Sequence, residues 1–201
     1  MDKPTPSLVL ASASPRRLQL LAQIGVQCDV LPQNIDETPR QNEKPSDYVI
    51  RLAKEKAEAG LAACERDCVV LGSDTIVCCN GVILGKPQDK ADGIAMLELL
   101  SGKTHEVQTA VHLATSSASA GRLSISQVKF REIEREEAER YWQTGEAAGK
   151  AGGYGIQGMA AVFVQTIEGS YSGVMGLPLF ETADLLEEFD IPCWNPAEES
   201  V

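Results

Sequence analysis

Hydrophobic and polar positions change period several times along the chain, and each change marks an element. Val9-Leu10-Ala11 is a short apolar run of the kind a central strand needs. Ser14 and Pro15 then read as an N-cap and a first helical residue, and Leu18, Leu21 and Ala22 continue at helical spacing until Gly25. Residues 28–31 read as a second strand, and 32–44 as a polar loop holding Asp36, Glu37 and Arg40. Ser46 is expected to cap a long helix reaching to about Cys64, with Val49, Leu52, Ala53 and Gly60 as its apolar stripe.

Residues 68–72 form a fully apolar strand expected to end at Gly72 and to deliver Ser73-Asp74-Thr75 at its carboxyl end. Residues 76–79 and 82–84 flank Asn80-Gly81, a strong two-residue hairpin signal. Asp89 caps the next helix, with Ile94, Leu97 and Leu100 inward and Gly102 at its end. Residues 105–115 and 123–130 read as long strands around a small-residue loop. The alternation of Val128, Phe130 and Glu132 predicts a half-exposed antiparallel pair. A helix over 134–144, a glycine-rich stretch over 145–158, a strand over 161–164 and an amphipathic helix ending near Phe189 follow. The tail from Pro192 is expected to be disordered. No repeat or linker interrupts this order. The pattern predicts one mixed α/β unit (α+β in its later half) over residues 1–201, with its core at about 7–190 and two lobes around a cleft.

Composition narrows the classes. A hydrophobic share of 43% supports an ordinary globular core, and a formal net charge of -11 argues against a nucleic-acid surface while leaving room for a locally basic pocket. No apolar run is long enough to span a membrane, and Met1-Asp2-Lys3-Pro4 does not open a signal peptide. The six cysteines include no C-x-x-C pair and are read as reduced thiols of a cytosolic protein. With only His105 and His112, a zinc site is not expected.

Candidate chemistry begins at the first strand-to-helix junction. A helix N-terminus offers free N–H groups and partial positive charge, Ser12 and Ser14 add hydroxyls, and Arg16 and Arg17 place two cations where the helix dipole disfavours them. A bound phosphate explains that arrangement; pairing of the arginines with the chain's many acids is the alternative. Lys56 falls on the apolar stripe of the second helix, so it either has a partner anion or snorkels at the stripe edge, whereas Lys54 lies off the stripe. Asp74 follows an apolar strand, where ligand sites of open α/β sheets collect, or else it caps a turn. Lys86 sits in a rigid Gly-Lys-Pro loop. Gly102-Lys103-Thr104 is not a P-loop end, since position 97 is leucine. Gly153-Tyr154-Gly155-Ile156-Gln157-Gly158 matches G-x-G-x-x-G only formally, because a strand is expected after it. It reads as backbone approaching a ligand closely or as a surface loop.

Taken in order, Ser12-Ala13-Ser14-Pro15-Arg16-Arg17, Arg51-Leu52-Ala53-Lys54-Glu55-Lys56-Ala57, Gly72-Ser73-Asp74-Thr75, Gly85-Lys86-Pro87, Gly155-Ile156-Gln157-Gly158 and Gly176-Leu177-Pro178 resemble the motifs of the Maf family, from Leu8 to about Phe189. That resemblance implies an inosine-triphosphatase-like fold with an elongated mixed sheet, flanking helices and a cleft between two lobes. It implies a nucleoside triphosphate pyrophosphatase that cuts between the α and β phosphates with a divalent metal, magnesium or manganese, held by Asp74 and Glu37.

Under the same resemblance Asp74, Lys56, Lys86 and Glu37 are catalytic, and Ser12, Ser14, Arg16 and Arg17 contact the triphosphate. Arg16, Thr75 and Gln157 stand where the branch acting on 7-methyl-GTP carries Trp, Gln and Glu, and match the dTTP/UTP branch instead. The implied partner is a small-molecule nucleotide in the cytoplasm, with no nucleic acid and no membrane; the oligomeric state, a homodimer included, stays open. A nucleotide-binding regulator of cell division is the alternative, because the family is linked to septum formation. Asp74 together with both lysines favours an enzyme.

Overall fold

The computed structural model describes residues 6–194. It is a mixed α/β structure whose seven strands are ordered β2-β1-β3-β5-β6-β7, with β4 paired to β3. In chain order the elements are β1 (Leu8–Leu10), α1 (Pro15–Gln23), β2 (Asp29–Val30), α2 (Pro45–Ala63), β3 (Val69–Cys79), β4 (Val82–Leu84) and α3 (Lys90–Leu100). Then come β5 (Thr104–Ala114), β6 (Ser119–Phe130), α4 (Arg135–Gln143), two 3₁₀ turns (Ala151–Gly153 and Met159–Phe163), β7 (Val164–Glu168), α5 (Tyr171–Met175) and α6 (Leu179–Glu188). β1 runs parallel to both β2 and β3, while β4 is antiparallel to β3 and β7 to β6.

The chain forms two compact units. One contains the residues up to Asp74, Thr109–Leu123 and the residues from Gly176 onward; the other contains Thr75–Gln108 and Ser124–Met175. Val9, Ala11, Cys68 and Val70 pack together in the first, with Leu31, Leu61 and Cys64 against them. The second has a core around Leu97, Leu100, Val128, Phe130, Tyr141, Tyr154 and Phe163. Its aromatic rings meet edge to face, as Phe130 and Tyr154 do at 4.8 Å.

Local rules account for most of the elements. The Asn80-Gly81 hairpin forms as expected, with Cys79 opposite Val82 and both turn residues at positive φ (52° and 77°). The Asp89 side chain accepts from Asp92 N at 2.9 Å and caps α3. Val128 and Phe130 are fully buried on alternate positions of β6.

Other expectations need correction. α2 begins at Pro45 after Lys44, two residues earlier than a Ser46 cap allows, because proline is pre-set for the first helical position. Glu132 is exposed and lies beyond β6, and β5 is buried almost throughout, so only β6 has the half-exposed pattern. The run Ala161-Val162-Phe163 is a 3₁₀ turn and β7 starts at Val164, since a short apolar run cannot distinguish a strand from a buried helical turn. Pro192, Cys193 and Trp194 are still placed, with Trp194 N donating to Ile24 O at 2.7 Å; residues 195–201 of the expected tail lie outside the described residues. All six cysteines are free thiols, and no helix among the described residues is long and apolar enough to cross a membrane.

Candidate functional site

β3 is a single strand of 11 residues, so Asp74 sits in its interior rather than at its carboxyl end. The strand end that matters is β1's. Pairing of β1 with β3 stops at Leu10 opposite Leu71, and Ala11 N makes one more bond to Leu71 O. β3 continues past that point, and Ser12 and α1 leave the sheet there. Side chains alternate along β3, so Gly72 and Asp74 share a face, with Ser73 on the other.

Helix α2 packs against the Gly72–Asp74 face. A Cβ at Gly72 would collide with the Ala53 carbonyl and stand 2.5 Å from Ala57 N, so only glycine lets the helix backbone come this close to the strand. Lys56 lies between those two alanines. Its ammonium is delivered to Asp74 Oδ1 at 2.6 Å and to Glu37 Oε1 at 2.6 Å. Lys56 and Asp74 are 8% and 9% exposed, whereas the Glu37 side chain is 42% exposed. The stripe lysine therefore has its partner anions and does not snorkel, and Lys54 is exposed as expected. Burying an ammonium without partners costs several kcal/mol, roughly; the two carboxylates offset it.

The loop that bears Glu37 is clamped onto α2 at two successive carbonyls. Tyr48 donates its hydroxyl to Glu37 O at 2.7 Å, and Arg51 Nη2 donates to Thr38 O at 3.2 Å. Arg51 also holds Glu43 through two bonds, at 2.6 and 2.8 Å, and Glu55 at 3.1 Å. The guanidinium holds the Glu43 carboxyl down at about 2, helped by Arg40. Burial pushes the Tyr48 phenol up, and the charges of Asp74 and Glu37 add to this. Sequence reasoning missed Tyr48 and Arg51 as supports. Their signal was their spacing, one position off Val49 and Leu52 at the edge of the apolar stripe.

At the first junction, Ser14 has N-cap backbone geometry, yet its side chain makes no capping bond to α1. Its N–H instead donates to Ser12 Oγ at 3.2 Å, and Arg17 Nη1 donates to the same oxygen at 2.9 Å. Arg17 Nε donates to Gly176 O at 2.8 Å, and Ser73 Oγ donates to that carbonyl at 3.1 Å. The turn before α6 thereby ties α1 to β3. Burial lowers the Arg17 pKa, the charges of Asp74 and Glu37 oppose that shift, and Arg16 adds to it. Ser12, Arg17, Glu37, Lys56 and Asp74 are thus linked electrostatically within the first unit, with Ser14 and Arg16 beside them in sequence.

Thr75, Lys86 and Gln157 belong to the second unit. Gly152 N donates to Gly85 O at 3.0 Å, which joins the Lys86 loop to the glycine-rich stretch. In that stretch the close approach is to the chain's own Glu146, whose carboxylate lies where a Gly158 Cβ would be.

The donor set at Asp74 and Glu37 fits a hard divalent ion that brings its own ligands. Two carboxylates can serve magnesium or manganese when phosphate oxygens and water complete the shell. Among the described residues no group of three or more His, Cys, Asp or Glu could cage a metal by itself.

Comparison with known proteins agrees with the motifs. Residues 7–189 match the Maf-like protein family. A dTTP/UTP pyrophosphatase of Saccharophagus degradans is 56% identical over 191 residues, covering 94% of this chain and 91% of that one. A dTTP/UTP pyrophosphatase of Alkalilimnicola ehrlichii is 52% identical, covering 92% and 94%. A crystal structure of a nucleoside-triphosphatase / dITP/XTP pyrophosphatase from Mycobacterium abscessus is similar with TM-score 0.40 and 17% identity, over 63% of this chain and 75% of that one. Spanning nearly the whole sequence and carrying its motifs in order, the chain belongs to the Maf-like protein family.

Proposed function

We propose that this protein is a nucleoside triphosphate pyrophosphatase that hydrolyses dTTP and UTP to the monophosphate and pyrophosphate. The observation that carries this reading is the buried Lys56 ammonium held between Asp74 and Glu37, beside the Arg17–Ser12 junction. Relatives named dTTP/UTP pyrophosphatase, at 52% and 56% identity over nearly the full length, support the choice of substrate.

Hydrolysis of a phosphoanhydride needs an in-line water, cations for the charge that develops and little covalent help from the protein. Asp74 takes the proton of the attacking water as its oxygen bonds to the α-phosphorus and pyrophosphate leaves. Lys56 and Lys86 offset charge on the phosphate oxygens. Arg16, Arg17, Ser12, Ser14 and the N–H groups of the first turn of α1 bind the phosphates. Asp74 and Glu37 would hold a magnesium or manganese ion, which when bound polarises the phosphoryl oxygens.

Thr75 and Gln157 supply donors and acceptors for a pyrimidine edge with two carbonyls and one N–H. Arg16 stands where a tryptophan would give a cationic methylated purine a flat electron-rich face, and its charge repels such a base. We read the setting as the cytoplasm and the substrates as free nucleotides, canonical or modified, in a house-cleaning role.

Pyrophosphate release across a panel of nucleoside triphosphates tests the reading. The expected order has dTTP and UTP highest and 7-methyl-GTP poor, and the triple change Arg16→Trp, Thr75→Gln and Gln157→Glu moves preference towards 7-methyl-GTP. Equal kcat/KM for dTTP and 7-methyl-GTP in the unaltered protein overturns the assignment.

A further inference from the structure

Gln157 sits at the tip of a four-residue turn, Gly155-Ile156-Gln157-Gly158, closed by Gly158 N donating to Gly155 O at 3.0 Å. Ile156 points into the core of the second unit and Gln157 is exposed. Both ends of this turn are held by one side-chain pair. On the leading side, Gly155 N donates to the Tyr141 hydroxyl oxygen at 3.3 Å. On the trailing side, Met159 N donates to Glu146 Oε2 at 2.8 Å and Ala160 N to Glu146 Oε1 at 3.2 Å. Tyr141 in turn donates its hydroxyl to Glu146 Oε1 at 2.8 Å.

The carboxylate thus fills the N-terminal end of the 3₁₀ turn Met159–Phe163, where N–H groups have no partner of their own. Burial works to raise the Glu146 pKa, but the N–H of Met159, the Tyr141 hydroxyl and the Ala160 N–H outweigh it and keep the group ionised. Tyr141 is itself anchored, its ring edge to face with Phe163 at 5.5 Å. Gly158 has no Cβ because Glu146 occupies that space.

We infer that Tyr141 and Glu146 are positioning residues for base selection, holding the turn that presents Gln157 to the pyrimidine. The inference rests on the proposed reading of Gln157. The phosphate contacts assigned to Ser12, Arg17, Lys56 and Asp74 lie in the first unit and Lys86 sits on a different loop of the second, so loss of this pair acts first on discrimination between bases. Thymine and uracil present carbonyl, N–H and carbonyl along one edge; cytosine exchanges one carbonyl and the N–H for an amine and a bare nitrogen. A turn that drifts by a fraction of an ångström no longer tells these edges apart.

The test measures kcat/KM for dTTP and dCTP with Glu146→Gln, which keeps the shape but turns an amide donor towards N–H groups, and with Tyr141→Phe, which keeps the ring and removes only the hydroxyl. Gln157→Ala and thermal unfolding midpoints run alongside. The expected result is a dTTP-to-dCTP ratio lowered by about tenfold in Glu146→Gln and in Gln157→Ala, carried mainly by KM for dTTP, with a smaller fall in the same direction for Tyr141→Phe. A merely structural role lowers both substrates together. An unchanged ratio in both Glu146→Gln and Tyr141→Phe overturns the inference, as does a Glu146→Gln protein too unstable to assay alongside a Tyr141→Phe protein of unchanged ratio. If Gln157→Ala shifts the ratio in those cases, the base reading stands without the staple. If Gln157→Ala leaves it unchanged as well, the reading of Gln157 fails too.

Discussion

Lys56 and Asp74, 18 residues apart in the chain, meet at 2.6 Å in a place where neither is more than 9% exposed. The meeting depends on backbone proximity: α2 reaches β3 at Gly72, and the lysine then has only the next turn of strand to reach. The predictions below follow from this contact and from one buried histidine in the second unit.

Lys56→Ala should lower kcat on the order of 10²–10³-fold, the scale of removing one preorganised charge from a reacting phosphate. It also leaves Asp74 and Glu37 without the cation between them. Lys54→Ala should stay within about twofold, because Lys54 pairs with Glu58 at 3.6 Å and both side chains are about half exposed. Steady-state rates of the two variants check this; equal losses would remove Lys56 from the site.

Asp74→Asn should fold normally and lose roughly 10²–10⁴-fold in turnover, since the amide cannot accept the proton of water. In the unaltered protein, chelation and metal-free dialysis should abolish pyrophosphate release, and magnesium or manganese should restore it. Full turnover without metal would end the assignment of Asp74 and Glu37 as metal holders. A near-normal rate in Asp74→Asn would move the base to Glu37.

Gly72→Ala should destabilise the protein by about 1–3 kcal/mol through overpacking against α2. It should also lower kcat, because a displaced helix carries Lys56 away from Asp74. Gly85→Ala is the control for stability, since a Cβ there meets nothing within 4 Å. Urea midpoints for the three proteins decide the matter. A Gly72→Ala protein as stable as Gly85→Ala would show that α2 can retreat at no cost.

His105 is buried, its Nε2 is 2.8 Å from the Tyr154 hydroxyl, and its Nδ1 has no hydrogen-bond partner. Burial pushes its pKa from 6.5 down to about 4. The unfolded chain therefore binds the proton first. The associated stability is complete above pH 6.5 and is lost as pH falls towards 4, by about 3 kcal/mol over that window. His105→Gln, which does not titrate, should be less stable at pH 7.5 and show a flatter decline between about pH 7 and pH 4. Parallel decline of the two proteins in urea titrations would exclude His105 as the source.

Local chemistry was enough for the parts of this protein that depend on neighbours in sequence. Pro15 after Ser14 starts α1, Asn80-Gly81 turns the hairpin, Asp89 caps α3, and the 3.6-residue period put Lys56 on the inward face of α2. The motif residues further identified the family, because their order along the chain is itself information. What sequence could not decide was where polar residues sit once strands pair. Ser73-Asp74-Thr75 looked like a strand end, yet they lie inside β3, because β1 ends first and leaves the longer strand to pass through the site. The apolar run after Gly158 looked like a strand, yet Glu146, more than ten residues earlier, captures its N–H groups and makes a 3₁₀ turn. Tyr48 and Arg51 stood out in no pattern, yet they hold the carbonyls of a loop that no periodicity describes. In each case the deciding partner is distant along the chain, and only the packed backbone brings it within hydrogen-bond reach.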